Sequence, residues 1–558
     1  MALDTTFGQN RQGYTLTDKP GGIGNQVIDS LNRTIVVYGD LDGITGSLKL
    51  IISRYTSDGL IDTTFGKDGY VIRDYYNNNS TVGDDITLDK DGNILVTGTT
   101  RDSNGRFFLF VAKYSSEGVL DRGFGGNDKG FVTYAYPDNN TNSSGYSIAL
   151  DNSGNILVTG IVRSEFEVPI LFLVVRYLAD GTLDKTFGDK GWANITDPKI
   201  NTYYGTDLAI DKSGSIIVIG VNDNDRSVIL VKINSTGRLD KIFGSGAGYI
   251  ILDNIIIANS IRLQLDNKDR ILITGQYKGD IYLARYNSTD GSIDKKFGDN
   301  SGYTTTAIPN LYSESYGVGG VSVTLDSNNR IIVTSLTANS VILFGYTVLT
   351  RYTNDGFLDT TFGDNGPGYT VFDKLPFTLI TNISLDNNGR IVTSGYGAIT
   401  GGDVKVQTRP LIIRYLNEKN EPICLPAGTP ILTDQGLVAI EKIDTKKHTI
   451  GQKRIVAITT TITPEKHLVC FEANSMGINC PSQRTIMTPG HEVLYKGKLV
   501  QAKHFVGRVE GVHTVPYNGK DVLYNVLQEQ HGLMRVNNMV LETLHPENKV
   551  ARVILGNQ

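Results

Sequence analysis

The sequence predicts an all-β protein, most of it a closed ring of seven small sheets, on three observations. Three short motifs recur in register up to about residue 418. The segments between them are strand-length apolar runs bounded by Gly, Asn and Asp. Cys and His, which carry much nucleophilic and proton-transfer chemistry, lie beyond residue 420 without exception. The 558 residues are 39 % hydrophobic and 20 % charged, with 62 Gly and 28 Tyr, a composition that folds and excludes wholesale disorder. A formal net charge of −5 leaves no global basic footprint for nucleic acid. Three Cys exclude a disulfide scaffold. The opening Met-Ala-Leu-Asp-Thr-Thr-Phe-Gly has neither the basic nor the apolar region of a signal peptide, and no long apolar run follows. The expectation is a chain without signal peptide or membrane-inserted segment.

The first motif, Leu-Asp-Thr-Thr-Phe-Gly, ends at Phe7–Gly8, and its relatives place Phe at 65, 124, 187, 243, 297 and 362. The second reads LDKDGNILVTG from Leu88, LDNSGNILVTG from Leu150 and IDKSGSIIVIG from Ile210, with four further copies. The third is the RYTSDGLID type from Arg54, again in seven copies, the last from Arg414. Each unit reads as four short strands. One starts at the Gly-Tyr after Phe-Gly, a second runs into the Asp, and the Asp-x-x-Gly turn reverses the chain. ILVTG is the third, and FLVAKY or LARY the fourth. Runs such as IIVIG, apolar on both faces, suit sheets packed between sheets. Seven such sheets predict a seven-bladed β-propeller of four-stranded blades over residues 1–418. The first unit lacks an Arg-Tyr strand and the last lacks a Phe-Gly half, so residues 1–18 are expected to complete the final blade beside residues 410–418 as an N-/C-terminal clasp. These units resemble the delta-60 repeat family of β-propellers.

Within the repeats, Asp89-Lys90-Asp91-Gly92 and its relatives resemble calcium loops only superficially. They lack the ligand number and the closing Glu of such loops, so turn chemistry is the better reading. The repeated Phe reads as blade-packing material, and no pair of carboxylates stands out as an acid–base pair. The sequons at Asn79, Asn142, Asn194, Asn234 and Asn287 matter only where the protein meets a glycosylation machinery.

A composition break near residue 420 marks a second domain. Residues 421–558 carry 15 Lys+Arg against 12 Asp+Glu, whereas the rest carries 38 against 46. The expected organisation is 1–418, a linker 419–423, and a C-terminal all-β domain 424–558. That domain contains CLPAGTPILTDQGLVAIEKI from Cys424, IMTPGHEVLYKGKLVQAKHF from Ile486 and VLYNVLQEQHGLMRVNNMVLETLHPEN from Val522. Together they resemble the Hint domain shared by hedgehog autoprocessing domains and inteins. The resemblance implies that Cys424 is the first-position nucleophile, Thr488 and His491 the T-x-x-H pair, and His531 the histidine of the later block. A thiol at 424 can attack the carbonyl of Ile423 and turn an amide into a thioester. His491 would protonate the departing nitrogen, and Thr488 with backbone N–H groups would steady the oxyanion.

Two departures narrow the chemistry. Inteins end in His-Asn followed by a nucleophile, and here those positions are Glu542, Thr543 and Leu544, so splicing is not expected. The later block usually carries Asp after its aromatic residue, whereas Tyr524 precedes Asn525, and an amide cannot serve as that base. Cys470 and Cys480 could bridge in an oxidising compartment, and they lack zinc-site spacing; no metal or cofactor is expected.

The leading functional expectation is a structural or recognition protein, a non-catalytic propeller with a Hint-like tail that has lost splicing. Its partners are expected to be proteins of a particle or surface assembly, with glycans as a second class. The alternative is self-processing between residues 423 and 424, a single-turnover autoproteolysis. The tail resembles those of Hint-like proteins of large DNA viruses, which implies a virion-associated or surface location.

Overall fold

The computed structural model describes residues 3–22, 24–41, 46–76, 79–126, 128–134, 141–164, 171–193, 195, 200, 202–222, 224–225, 227–252, 261–308, 315–339, 345–363, 368–400, 406–417, 423–462, 466–529 and 532–544. The chain divides into two compact units, residues 1–417 and 418–558. Most of the expected linker, 419–422, lies outside the described residues, as does Asn194.

The described strands of the first unit form seven antiparallel sheets. In a typical blade the order is Thr81–Leu88, Ile94–Arg101, Phe107–Tyr114, Phe131–Tyr134. The strand that follows Phe-Gly is therefore the outer edge of the sheet already under way. Sequence units and blades are out of phase by one strand. The physical reason is that the Phe-Gly turn links third and fourth strands of one sheet, so the chain passes to the next sheet only afterwards. The first strands of the seven sheets touch one another in order, and Phe377–Leu385 touches Gln26–Ile28, so the ring closes. The expected clasp is present, with Tyr14, Thr15 and Leu16 pairing with Ile413, Ile412 and Leu411. One sheet, Thr141–Leu150 with Ile156–Ser164 and Leu171–Tyr177, has three strands among the described residues. Its fourth is reduced to a bridge from Val175 to Trp192, which is buried in the core there.

The seven repeated Phe are all buried. Over five of them sits the Arg of the Arg-Tyr strand, with Arg414 4.4 Å from the Phe7 ring and Arg285 4.5 Å from Phe297. Each of these Arg also bonds the Asp of the Phe-Gly motif, as Arg54 does Asp62 at 2.8 Å. Its guanidinium then reaches a backbone carbonyl in the next blade: Ser116 for Arg54, Ser235 for Arg176 and Asn354 for Arg285. At the closure, Arg414 bonds Asp4 at 2.8 Å and the carbonyl of Ser57. The adjoining turn must come close, and Gly59, at φ +78°, allows it, since a Cβ there would sit 2.6 Å from Phe7.

The Asp-led turns are built from their own carboxylates. Asp89 Oδ1 accepts from the backbone N–H of Asp91 and Asn93, while Oδ2 accepts from Asn93 Nδ2 and pairs with Lys113 at 3.0 Å. These oxygens are committed to the turn, as turn chemistry requires.

The second unit is also all-β. A six-stranded sheet runs in the order Gly436–Ala439, Pro430–Thr433, Leu533–Val536, Met539–Glu542, Glu492–Tyr495, Lys498–Gln501. A four-stranded sheet contains Leu425–Pro426, Leu523–Gln528, Lys453–Thr461 and Thr449–Ile450, and a three-stranded one contains Thr485–Met487, His467–Phe471 and Val512–Pro516. Their inner faces share one apolar core that includes Leu425, Val469, Met487, Val526 and Leu541.

Candidate functional site

Three segments meet at the peptide bond between Ile423 and Cys424. Leu425 pairs with Tyr524 in antiparallel register, which brings Asn525 beside residues 423 and 424. Thr488 follows directly on strand Thr485–Met487 and is fully buried. The Thr488–His491 segment closes as a turn, with His491 N–H donating to the Thr488 carbonyl at 3.1 Å.

These segments grip both sides of the bond. Cys424 N–H donates to Thr488 Oγ1 at 2.8 Å, and Thr488 N–H donates to the Cys424 carbonyl at 3.0 Å. Asn525 Nδ2 donates to the carbonyl of Ile423. The amide of Asn525 cannot flip, because its Oδ1 accepts from Val526 N–H at 2.7 Å. Sequence reasoning recorded Asn525 only as the loss of a base. The structure makes it a donor to the oxygen that would turn anionic, and its place in the strand pairing is what an unaided sequence does not display.

Thr488 is correspondingly placed on the amide nitrogen side. Its hydroxyl accepts from the Cys424 N–H, and the side-chain contact on the Ile423 carbonyl is made by Asn525.

His491 is fully buried. Its Nε2 lies 3.3 Å from the Glu542 carbonyl, which can only accept, so Nε2 carries the proton. Nδ1 makes no well-formed hydrogen bond, although the Cys424 backbone acts on the ring. Desolvation holds the ring down to about 4 against the pull of Glu542 and of the Glu542 and Cys424 backbones. A ring held neutral in this way takes up a proton before it can give one to the nitrogen. Cys424 sits among Leu468 and Leu523, and burial pushes its thiol up to about 12.

His531 and His545 lie outside the described residues. Thr543 is fully buried, its Oγ1 accepting from Gly532 N–H at 2.9 Å, and it offers no side-chain amide to cyclise. All three Cys are free, so Cys470 and Cys480 are not bridged.

Residues 423–548 match the family model of the Hint domain. This stretch is a Hint domain. Residues 90–124 and 269–297 match a β-propeller family described as a domain of unknown function, DUF5122. No curated protein matches the chain. Among solved structures, a protein of unknown function from Dyadobacter fermentans is 12 % identical, covering 60 % of this chain and 94 % of its own, at a TM-score of 0.34. An ulvan lyase of polysaccharide lyase family PL25 is 12 % identical over 72 % of this chain and 95 % of its own, at 0.37. An α-L-arabinofuranosidase from Fusarium graminearum is 11 % identical over 59 % and 92 %, at 0.34.

In the propeller region, sequence reasoning passed over a group of buried acids on the first strands. Asp85 accepts from Ile148 N–H at 2.8 Å, and Asp207 accepts from Leu263 N–H at 2.9 Å and Ser147 Oγ at 2.9 Å. Each ties its blade to the next. Asp84 beside them is pushed up to about 7 by burial and by Asp85.

Proposed function

We propose that the Hint domain cuts its own chain at the Ile423–Cys424 bond, releasing the propeller from the domain. The observation that carries this reading is the grip on both sides of one peptide bond, Asn525 on its carbonyl and Thr488 on its N–H. In the step, the Cys424 sulfur bonds to the Ile423 carbonyl carbon and the C–N bond breaks. The thiol proton passes to His491 Nδ1 and from there to the departing nitrogen, which becomes the free amine of Cys424. Asn525 donates to the developing oxyanion, an interaction that strengthens only as charge builds. The resulting thioester falls to water or an added thiol, leaving products of roughly 46 and 15 kDa by share of chain length.

The test compares full-length wild type with Cys424→Ala, with and without thiol, on a denaturing gel and by mass spectrometry. A thiol-accelerated split in wild type alone supports the reading; intact chains in both sink it. The pH profile separates two routes. Proton transfer through His491 gives a rate that falls as pH drops through about 4 and is flat at neutral pH. A route through free thiolate would climb steadily towards the thiol's value of about 12.

One observation favours the second reading, a Hint domain retained for its shape: the Cys424 thiol is desolvated, and burial pushes it up, away from the reactive thiolate. In both readings the propeller is a recognition or structural platform, whose partners we place among proteins or glycans of a surface or particle assembly. What supports this is that its most buried arginines are committed to carbonyls of the next blade.

A further inference from the structure

We propose that Cys470, Glu472 and His513 form a site for a soft divalent cation of the zinc class, with its fourth position open to solvent. Cys470 and His513 are direct partners on adjacent antiparallel strands, His467–Phe471 and Val512–Pro516, so their side chains leave the same face. Glu472 is two residues beyond Cys470 and returns to that face. One thiol sulfur, one carboxylate oxygen and one imidazole nitrogen come together within 4.8 Å of one another. Two edges of this triangle are shorter: Cys470 Sγ to Glu472 Oε1 is 3.4 Å, and His513 Nε2 to Glu472 Oε1 is 3.7 Å. Ligands bonded tetrahedrally to zinc are separated by about 3.3–3.8 Å, given bonds of about 2.0–2.3 Å.

The mixed donor set matches a zinc-class ion, since thiolate and imidazole prefer softer cations than calcium or magnesium. A second observation points to a cation. The Arg484 guanidinium lies against two of the three donors, with Nε 3.1 Å from Cys470 Sγ and 3.4 Å from Glu472 Oε1. The pocket thus already attracts positive charge. Arg484 is 54 % exposed at its side chain, as His513 is 50 %, so the arginine can swing away and an ion can enter. The sequence conceals the site because the imidazole comes from a strand remote in the chain, with no Cys-x-x-Cys or His-x-x-His spacing to announce it.

Binding displaces one proton, from the thiol to solvent, as the sulfur–metal bond forms.

The test titrates Co2+ into the full chain, follows the thiolate-to-cobalt charge-transfer band, and then displaces the cobalt with Zn2+. One equivalent should give the band in wild type and in Cys480→Ser. His513→Ala, at an exposed position, should weaken binding at least about tenfold. Cys470→Ser should abolish the band, and Arg484→Ala should tighten binding by removing the resident cation. No band in wild type overturns the proposal, as does a band that survives in His513→Ala at unchanged affinity or disappears in Cys480→Ser. The His513 variant keeps the test decisive if the buried Cys470 substitution prevents folding.

Discussion

In the propeller, deeply buried positive groups have carboxylates against them: Arg54 has Asp62, Arg285 has Asp294, Arg351 has Asp359 and Arg414 has Asp4. Around Cys424, His491 Nδ1 makes no well-formed hydrogen bond, and the buried carboxylate of Glu542 acts on the ring. The same operation, taking polar atoms out of water, has two results. Paired as Arg with Asp and repeated from blade to blade, it joins sheets. At the Ile423–Cys424 bond it leaves a desolvated thiol and imidazole. The comparison teaches where to look for chemistry in this chain: at buried nucleophilic and basic side chains gathered on one peptide bond.

The strongest way to break that contrast is at the closure. Asp4 is buried, and although burial raises its carboxyl, Arg414 and Thr6 hold it below its ordinary value. Arg414→Ala leaves that charge to the more distant Arg390, 3.7 Å away, and should cost about 3 kcal/mol of propeller stability, read by urea unfolding. An equal loss in the double variant Arg414→Ala/Asp4→Asn would refute the paired-charge account.

The Hint domain should instead respond to acid. The His491 imidazole ordinarily titrates at 6.5 and in the fold at about 4. Between those values the unfolded chain binds more protons, so stability is full above pH 6.5 and declines as pH falls towards 4. The loss should reach about 3 kcal/mol. Hydrogen exchange at the Thr488 amide measures it, and an acid-insensitive amide would contradict the buried neutral ring.

Asn525→Ala should slow cleavage about a hundredfold while leaving Cys424 in place, the usual effect of removing one oxyanion donor. Single-turnover rates on purified full-length chain decide this, and an unchanged rate would remove Asn525 from the mechanism. The smallest effect is expected in the turns. Asp89→Ala should cost about 1 kcal/mol, the scale of the hydrogen bonds lost, and added Ca2+ should leave the melting temperature where it was. A calcium-dependent rise would overturn the turn reading.

Much of the propeller is local in origin. Period-two apolar runs, Asp-led turns and the recurring Phe specify strands, reversals and packing within a few residues, so they could be read in order along the chain. The complementary halves at the two ends carried the clasp as well. The role of the Arg could not be read in that way. Its side chain bonds Asp in its own blade and a carbonyl in the next, and only the ring brings those together. The same limit explains the phase of the blades, because hydrogen bonding selects the sheet to which an edge strand belongs.

At the candidate site, Cys424, Thr488 and His491 carried motif signals, and the fold brings them to one bond. Motif position did not disclose protonation: burial holds the TPGH histidine neutral, and the Glu542 carbonyl places its proton on Nε2. By itself, then, the sequence determined the all-β class, the repeat and the residues from which the candidate site is drawn, because those depend on side-chain type and short spacing. Only the tertiary structure decided which atoms face each other, the Asn525 amide against the Ile423 carbonyl and the Cys470 thiol against the His513 imidazole. Such contacts are made between strands far apart in the chain, where neither spacing nor composition carries information.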